Sequence, residues 1–125
     1  MKTPIESSQA PKPIGPYSQA VKKDNTLYIS GQLPLNVDED FLVNSDFSLA
    51  TKQVMDNIDA ILSEAGMDFS HITFCSIFIT NMSKFSEVNT VYAQYFSEPF
   101  PARQVIEVSA LPLNAIIEIS AIAHV

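Results

Sequence analysis

The chain has 125 residues, with seven basic against fourteen acidic side chains and a net charge of −7. That balance repels phosphate backbones and anionic lipid surfaces, so neither a nucleic acid nor a membrane is expected as a partner. The length suits one domain with one core, residues 1–125, and 46% hydrophobic with 17% charged residues is ordinary for a chain that folds.

The opening Met1-Lys-Thr-Pro-Ile-Glu6 lacks the apolar stretch of a signal peptide, and no run approaches the ~20 apolar residues that span a bilayer. The one cysteine, Cys75, precludes an intrachain disulfide and suits a reducing compartment, so a cytoplasmic location is expected. After the proline-rich stretch Ala10–Pro16, the segments Tyr17–Val21 and Leu27–Ser30 flank a polar Lys22–Thr26, the pattern of a hairpin. Pro34 and Asp38-Glu-Asp40 mark a loop, and a short strand is expected near Phe41–Val43. Val54, Ile58, Ile61, Leu62 and Ala65 recur at helical spacing with Gly66 as a stop, which predicts a helix over Leu49–Ala65.

Ile72–Thr80 is rich in β-branched and aromatic residues and predicts an interior strand buried on both faces, with Cys75 as a small packed hydrophobe. Phe85, Val88, Tyr92, Tyr95 and Phe96 repeat with helical spacing behind Ser83 as a cap, and this second helix must end before Pro99. Arg103–Val108 and Ala115–Val125 read as two further strands, separated by Ser109–Asn114. The order predicts an α+β fold, one mixed β-sheet with two helices packed on one face.

In the last strand Ile117, Ile119, Ala121, Ala123 and Val125 fall on one side; Ile116, Glu118, Ser120, Ile122 and His124 fall on the other. Apolar residues on both sides of this strand and of Ile72–Thr80 imply that other subunits cover the face away from the helices. Glu118 is then either a solvated outer-face residue or a partly desolvated acid suited to proton transfer near neutral pH. His71 and His124 have no cysteine or second histidine at ligand spacing, so no metal site is expected. Gly15, Gly31 and Gly66 form no phosphate loop or dinucleotide fingerprint, and no serine lies in a G-x-S-x-G turn.

Four short pieces remain: Ile14-Gly-Pro-Tyr-Ser18, Ile29-Ser-Gly-Gln-Leu-Pro34, Phe100-Pro-Ala-Arg103 and Glu118. Together with Phe78-Ile-Thr80, Phe85–Tyr92 and Ala121-Ile-Ala123, this ordered set resembles the RidA family of YjgF-type reactive-intermediate deaminases over nearly the whole chain. The resemblance implies a chorismate-mutase-like fold, assembled as a homotrimer around a central β-barrel-like core, with sites in clefts between subunits. It also implies hydrolysis of enamines and imines, such as 2-aminoacrylate and 2-iminopropionate, to 2-keto acids and ammonium. No cofactor is implied for this clearance of damaging metabolites.

Residue by residue, Arg103 matches the arginine that grips the substrate carboxylate, a role suited to the two parallel donors of a guanidinium fork. Glu118 matches the glutamate that activates water and shuttles a proton. Tyr17, Ser30, Gly31 and Asn89 match positions that shape the pocket or hydrogen-bond to ligand. The chain departs from the pattern at Val105, where many deaminase-active members have cysteine, so that only the backbone there can contribute. The connection Ser97–Phe100 is shorter than the family's, and the loop at Asp38–Asp40 lacks its usual glycine. These departures bear on substrate preference. The alternative is a non-catalytic regulator that binds small carboxylates, or a chaperone-like member; the retained pair Arg103 and Glu118 favours the enzyme, because binding needs only the arginine whereas hydrolysis needs a base. An endoribonuclease reading fits poorly with the acidic charge.

Overall fold

The computed structural model describes all 125 residues, Met1–Val125. In chain order the strands and helices are β1 (Thr3–Ile5), β2 (Ala20–Lys23), β3 (Thr26–Gln32), β4 (Leu35–Asn36), β5 (Phe41–Leu42), α1 (Phe47–Glu64), β6 (Ile72–Ile79), α2 (Phe85–Ala93), β7 (Ala102–Glu107) and β8 (Ile117–His124). Six strands form one mixed sheet in the order β1-β2-β3-β8-β6-β7, in which only the β6–β7 pair is parallel; β4 and β5 form a separate ribbon.

The period-two pattern of the central strands decides which face is packed. Cys75, Ile77 and Ile79 of β6 and Ile117, Ile119, Ala121 and Ala123 of β8 are buried with Val54, Met55, Ile58, Ile61 and Leu62 of α1 and Val88 and Tyr92 of α2 in one hydrophobic cluster. Fully burying each large apolar side chain contributes about 1.5–3 kcal/mol, so this face dominates the stability. The opposite face carries Phe74, Ser76 and Phe78 of β6 with Glu118, Ser120 and Ile122 of β8, all half-buried within the single chain. The expectation of an Ile72–Thr80 strand buried on both sides is therefore corrected for one chain: one layer of helices covers one face.

The hairpin, both helices and the last two strands lie where the sequence pattern placed them, with shifted ends. The first hairpin strand begins at Ala20 instead of Tyr17, because the Tyr17 N–H bonds to the Gly15 carbonyl at 2.9 Å in a turn and is lost to the ladder. The first helix starts two residues early, since the Asp46 side chain accepts from the Leu49 N–H at 2.9 Å and caps it. Gly66 has φ +72 and stops that helix as expected. Ser83 is not the second helix's cap: Asn81 caps a preceding 3-10 turn, Met82–Lys84, by accepting from the Ser83 N–H. That helix ends at Ala93, so Tyr95 and Phe96 pack beyond its end, against Phe69. The last strand begins at Ile117, after a 3-10 turn over Pro112–Asn114. The short strands β1 and β4 were not expected from the sequence, being two or three residues long and without alternation.

Candidate active site

Between β3 and β8 the ladder slips: Ile29 pairs with Ala121 but Gln32 pairs with Ile119, so three steps on one strand meet two on the other. This bulge keeps both Ile29 and Gln32 buried on the helix side and turns Ser30 and Gly31 together towards the open face. Gly31 then lies directly over Glu118. A Cβ built on Gly31 would fall 2.7 Å from the Glu118 carboxyl carbon and 3.0 Å from its Cγ, so only a glycine admits the carboxylate there. Gly31 has no left-handed φ; the close approach is what demands it.

Glu118 lies in a cleft of about 370 Å³ on the open face, lined also by Tyr17, Ser30, Gly31, Leu33, Leu35 and Leu113. Burial pushes the Glu118 carboxyl above its ordinary pKa range, and no charged neighbour opposes the shift. The cleft's walls are held from behind. Asn57 of α1 is 1% exposed; its Nδ2 donates to the Leu33 and Leu35 carbonyls at 3.1 and 3.0 Å, and its Oδ1 accepts from Gln53 Nε2 at 3.0 Å. Gln19, 2% exposed, accepts from the Ser7 N–H at 2.7 Å and donates to the Pro11 carbonyl at 2.9 Å, tethering the segment that forms the rim. Ser30 Oγ donates to the Ser18 carbonyl at 2.6 Å, which ties the bulge to the Gly15–Ser18 turn.

Arg103 is elsewhere. Its register partner in β6 is Cys75, a helix-side residue, whereas Glu118 pairs with the open-face Phe78. The two side chains thus leave opposite faces of the sheet, two strands apart, and one chain cannot bring them together. Arg103 instead lies on α2: Nη1 donates to Asn89 Oδ1 at 2.8 Å, and its guanidinium carbon stands 4.9 Å from the Tyr92 ring centroid and 5.4 Å from that of Phe85. These contacts fix the fork at the free edge of β7. Val105, on the same face as Arg103, packs its side chain against the core, leaving only its backbone available. Cys75 is buried beneath this arginine, and burial raises its thiol pKa, opposed by Tyr92 and Arg103.

The residues singled out in the sequence therefore form two groups: Tyr17, Ser30, Gly31 and Glu118 in the cleft, Arg103 with Asn89 at the β7 edge. The stacking partners Phe85 and Tyr92 were read from the sequence only as core; their spacing from Asn89, at i, i+4 and i+7 on one helix, is the signal that joins them. Leu33, Leu35 and Leu113 carry no such signal, since residues of loops, turns and two-residue strands reach the cleft through long-range folding.

A mixed sheet with helices on one face, and a cleft around a desolvated carboxylate on the other, defines a small-molecule-binding α+β protein. The chain belongs to the Rid (YjgF/RidA) family, and the profile described as Endoribonuclease L-PSP matches residues 7–125. Among its relatives, a RutC family protein of Sulfurisphaera tokodaii is 46% identical over 118 residues, 94% of either chain. The protein named 2-iminobutanoate/2-iminopropanoate deaminase in Bos taurus is 44% identical over 119 residues, covering 95% of this chain and 87% of its own. The crystal structure of a conserved Rid-family protein of unknown function from Yersinia pestis superposes with a TM-score of 0.97 at 49% identity, covering 100% of both chains. No helix of the chain is long and apolar enough to cross a membrane.

Proposed function

We propose that the protein hydrolyses 2-imino acids, and the enamines that tautomerise to them, to 2-keto acids and ammonium in the cytoplasm. The observation that carries this reading is the Glu118 carboxylate, raised in pKa by burial in an apolar cleft and fitted against a glycine. In the reaction Glu118 takes a proton from water as the water oxygen attacks the carbon of the protonated imine, giving a neutral carbinolamine. The protonated carboxyl returns that proton to the nitrogen; the C–N bond breaks with its electron pair leaving on ammonia, and the hydroxyl proton passes through Glu118 to that ammonia as the keto group forms, giving ammonium. Tyr17, Ser30 and the Gly31 backbone shape the pocket. Arg103, oriented by Asn89, supplies the bidentate grip on the substrate carboxylate.

Since Arg103 and Glu118 leave opposite faces of one sheet, the working site requires the Glu118 cleft of one copy and the β7 edge of another. A closed homotrimer with the open faces turned inward as a barrel-like core meets this need and covers the half-buried Phe74, Phe78 and Ile122. The relatives named as deaminases support the chemistry, while the net charge of −7 speaks against RNA as substrate despite the family's description. The test is release of 2-keto acid from 2-iminopropionate generated in situ by an amino acid oxidase. Faster release with the protein than without it supports the reading, and unchanged release refutes it.

A further inference from the structure

Arg103 is the one arginine of the chain, and it is held without an acid. The close acid–base pairs within the chain join Lys52 to Asp56, His71 to Asp68 and Lys84 to Glu87, and leave it out. The acids on the two elements beside it are engaged elsewhere: Glu87 of α2 stands 3.3 Å from Lys84, and Glu107 of β7 accepts from the Met82 N–H at 2.6 Å. What holds the guanidinium is one face of α2. Phe85, Asn89 and Tyr92 follow at i, i+4 and i+7, so their side chains share a single stripe of the helix. Asn89 Oδ1 accepts from Nη1 at 2.8 Å, and the two rings stand with their centroids 5.4 and 4.9 Å from the guanidinium carbon.

The rings do what a carboxylate in their place could not. A ring face attracts a cation through its quadrupole and fixes the plane of the guanidinium, yet it has no net charge with which to cancel the cation's. An aspartate or glutamate would hold the fork as firmly, but would occupy the donors that a ligand carboxylate needs. Tyr92 shows that the ring is what counts. It is 4% exposed, and its hydroxyl is buried near the Cys75 thiol with no hydrogen-bond partner at bonding geometry. An unpartnered buried hydroxyl destabilises the fold, so the hydroxyl gives no reason for an aromatic residue there. The ring face beside Arg103 does.

We propose that Phe85 and Tyr92 are positioning residues for the substrate carboxylate, their rings orienting the Arg103 fork while leaving its charge uncancelled for the ligand. The inference rests on the deaminase reading for its ligand, a 2-imino or 2-keto carboxylate, whereas the clamp itself stands on α2 and β7. Loss of one ring contact corresponds to about 2–30-fold in affinity.

The experiment titrates 2-ketobutyrate calorimetrically into the oligomer and its variants and measures kcat and KM with 2-iminobutyrate generated in situ. It also records the Arg103 Nε–Hε resonance, which is unambiguous in a chain with one arginine. Phe85→Leu should weaken binding about 2–30-fold and raise KM by a similar factor with kcat nearly unchanged, since a carboxylate grip acts alike on ground and transition states. The ring-current shift of the Arg103 resonance should shrink in the same variant, and Phe85→Tyr should restore affinity and shift together. Tyr92→Phe keeps the ring and should bind like the wild type. Asn89→Asp should keep the fork beside the rings, with the shift retained, yet cancel its charge, so that binding falls at least about 10-fold. Wild-type affinity in Phe85→Leu, a fall in its kcat at unchanged KM, or a loss that Phe85→Tyr does not restore overturns the proposal. Wild-type affinity in Asn89→Asp overturns it too, because the charge would then not need to stay uncancelled. A wild type that binds 2-ketobutyrate but hydrolyses no imine ends the deaminase reading alone, and the titrations still decide the clamp. A wild type that binds no 2-ketobutyrate overturns the clamp's proposed role.

Discussion

Glu118 is a carboxylate that the fold could have left solvated, and two neighbours prevent that: the bulge presses Gly31 onto it, and the cleft removes water from its surroundings. Because its pKa is raised in the folded chain, the native state holds its proton more tightly than the unfolded state does. Stability from this group is fully present below the unfolded pKa and is lost as pH rises through the folded value. Glu118→Gln removes that loss, so its melting temperature should exceed the wild type's at neutral pH, with the gap closing in acid. Its turnover should fall by about 10²–10⁴-fold, and the wild type's rate should rise with pH as Glu118 ionises, an inflection the variant lacks. Thermal melts and rate profiles across pH check both; a fully active Gln variant refutes the base assignment.

Gly31→Ala probes the same contact from the other side. The added Cβ meets only the end of the Glu118 side chain, and the backbone there needs no left-handed φ, so the fold should tolerate it. The carboxylate must swing aside, and displacement of a catalytic group by about 1 Å costs about 10²-fold in rate. Near-wild-type melting with strongly reduced turnover is the expected pairing; unimpaired turnover would contradict the placement. That Glu118 leaves the face away from the helices was legible from alternation, and the role proposed for it came from the resemblance. Its contact with Gly31 was not, because a bulge is a property of the pair of strands and neither strand's sequence declares it.

The elements with strong periodicity were legible to within a few residues: α1 from its apolar stripe and Gly66 stop, β6 and β8 from their β-branched runs. What escaped was short or set by partners. The ribbon β4–β5 is tied to α1 by the buried Asn57 amide, which donates to the Leu33 and Leu35 carbonyls, and a single asparagine inside an apolar helical stripe gives no hint of what it will bind. Asn57→Ala leaves those two part-buried carbonyls without their donor, at about 1–3 kcal/mol in all. Urea denaturation should show a loss in that range, together with a higher KM as the Leu33–Leu35 wall loosens. A variant as stable as the wild type would mean that water replaces the amide and that the wall is held by other contacts.

At the scale of the whole molecule, the separation of Arg103 from Glu118 is the decisive fact. The resemblance implied both residues for one site but not which face each leaves; that came from the parallel register of Cys75 with Arg103 and the antiparallel register of Phe78 with Glu118. The doubly apolar strands gave the same message more weakly, as an open face wanting a cover. Light scattering at micromolar concentration should report an assembly of about three chains.

The most direct measurement of the central claim mixes two inactive variants, Arg103→Ala and Glu118→Gln, refolded together so that their subunits assemble at random. A site shared between copies regains both residues whenever an Arg103 edge from one variant meets a Glu118 cleft from the other. In a closed trimer assembled at random this restores about one quarter of the wild-type activity. Each variant refolded alone should stay inactive. A mixture as inactive as its components, in a protein that has re-formed its oligomer, would contradict a site built from two copies with Arg103 and Glu118 in these roles.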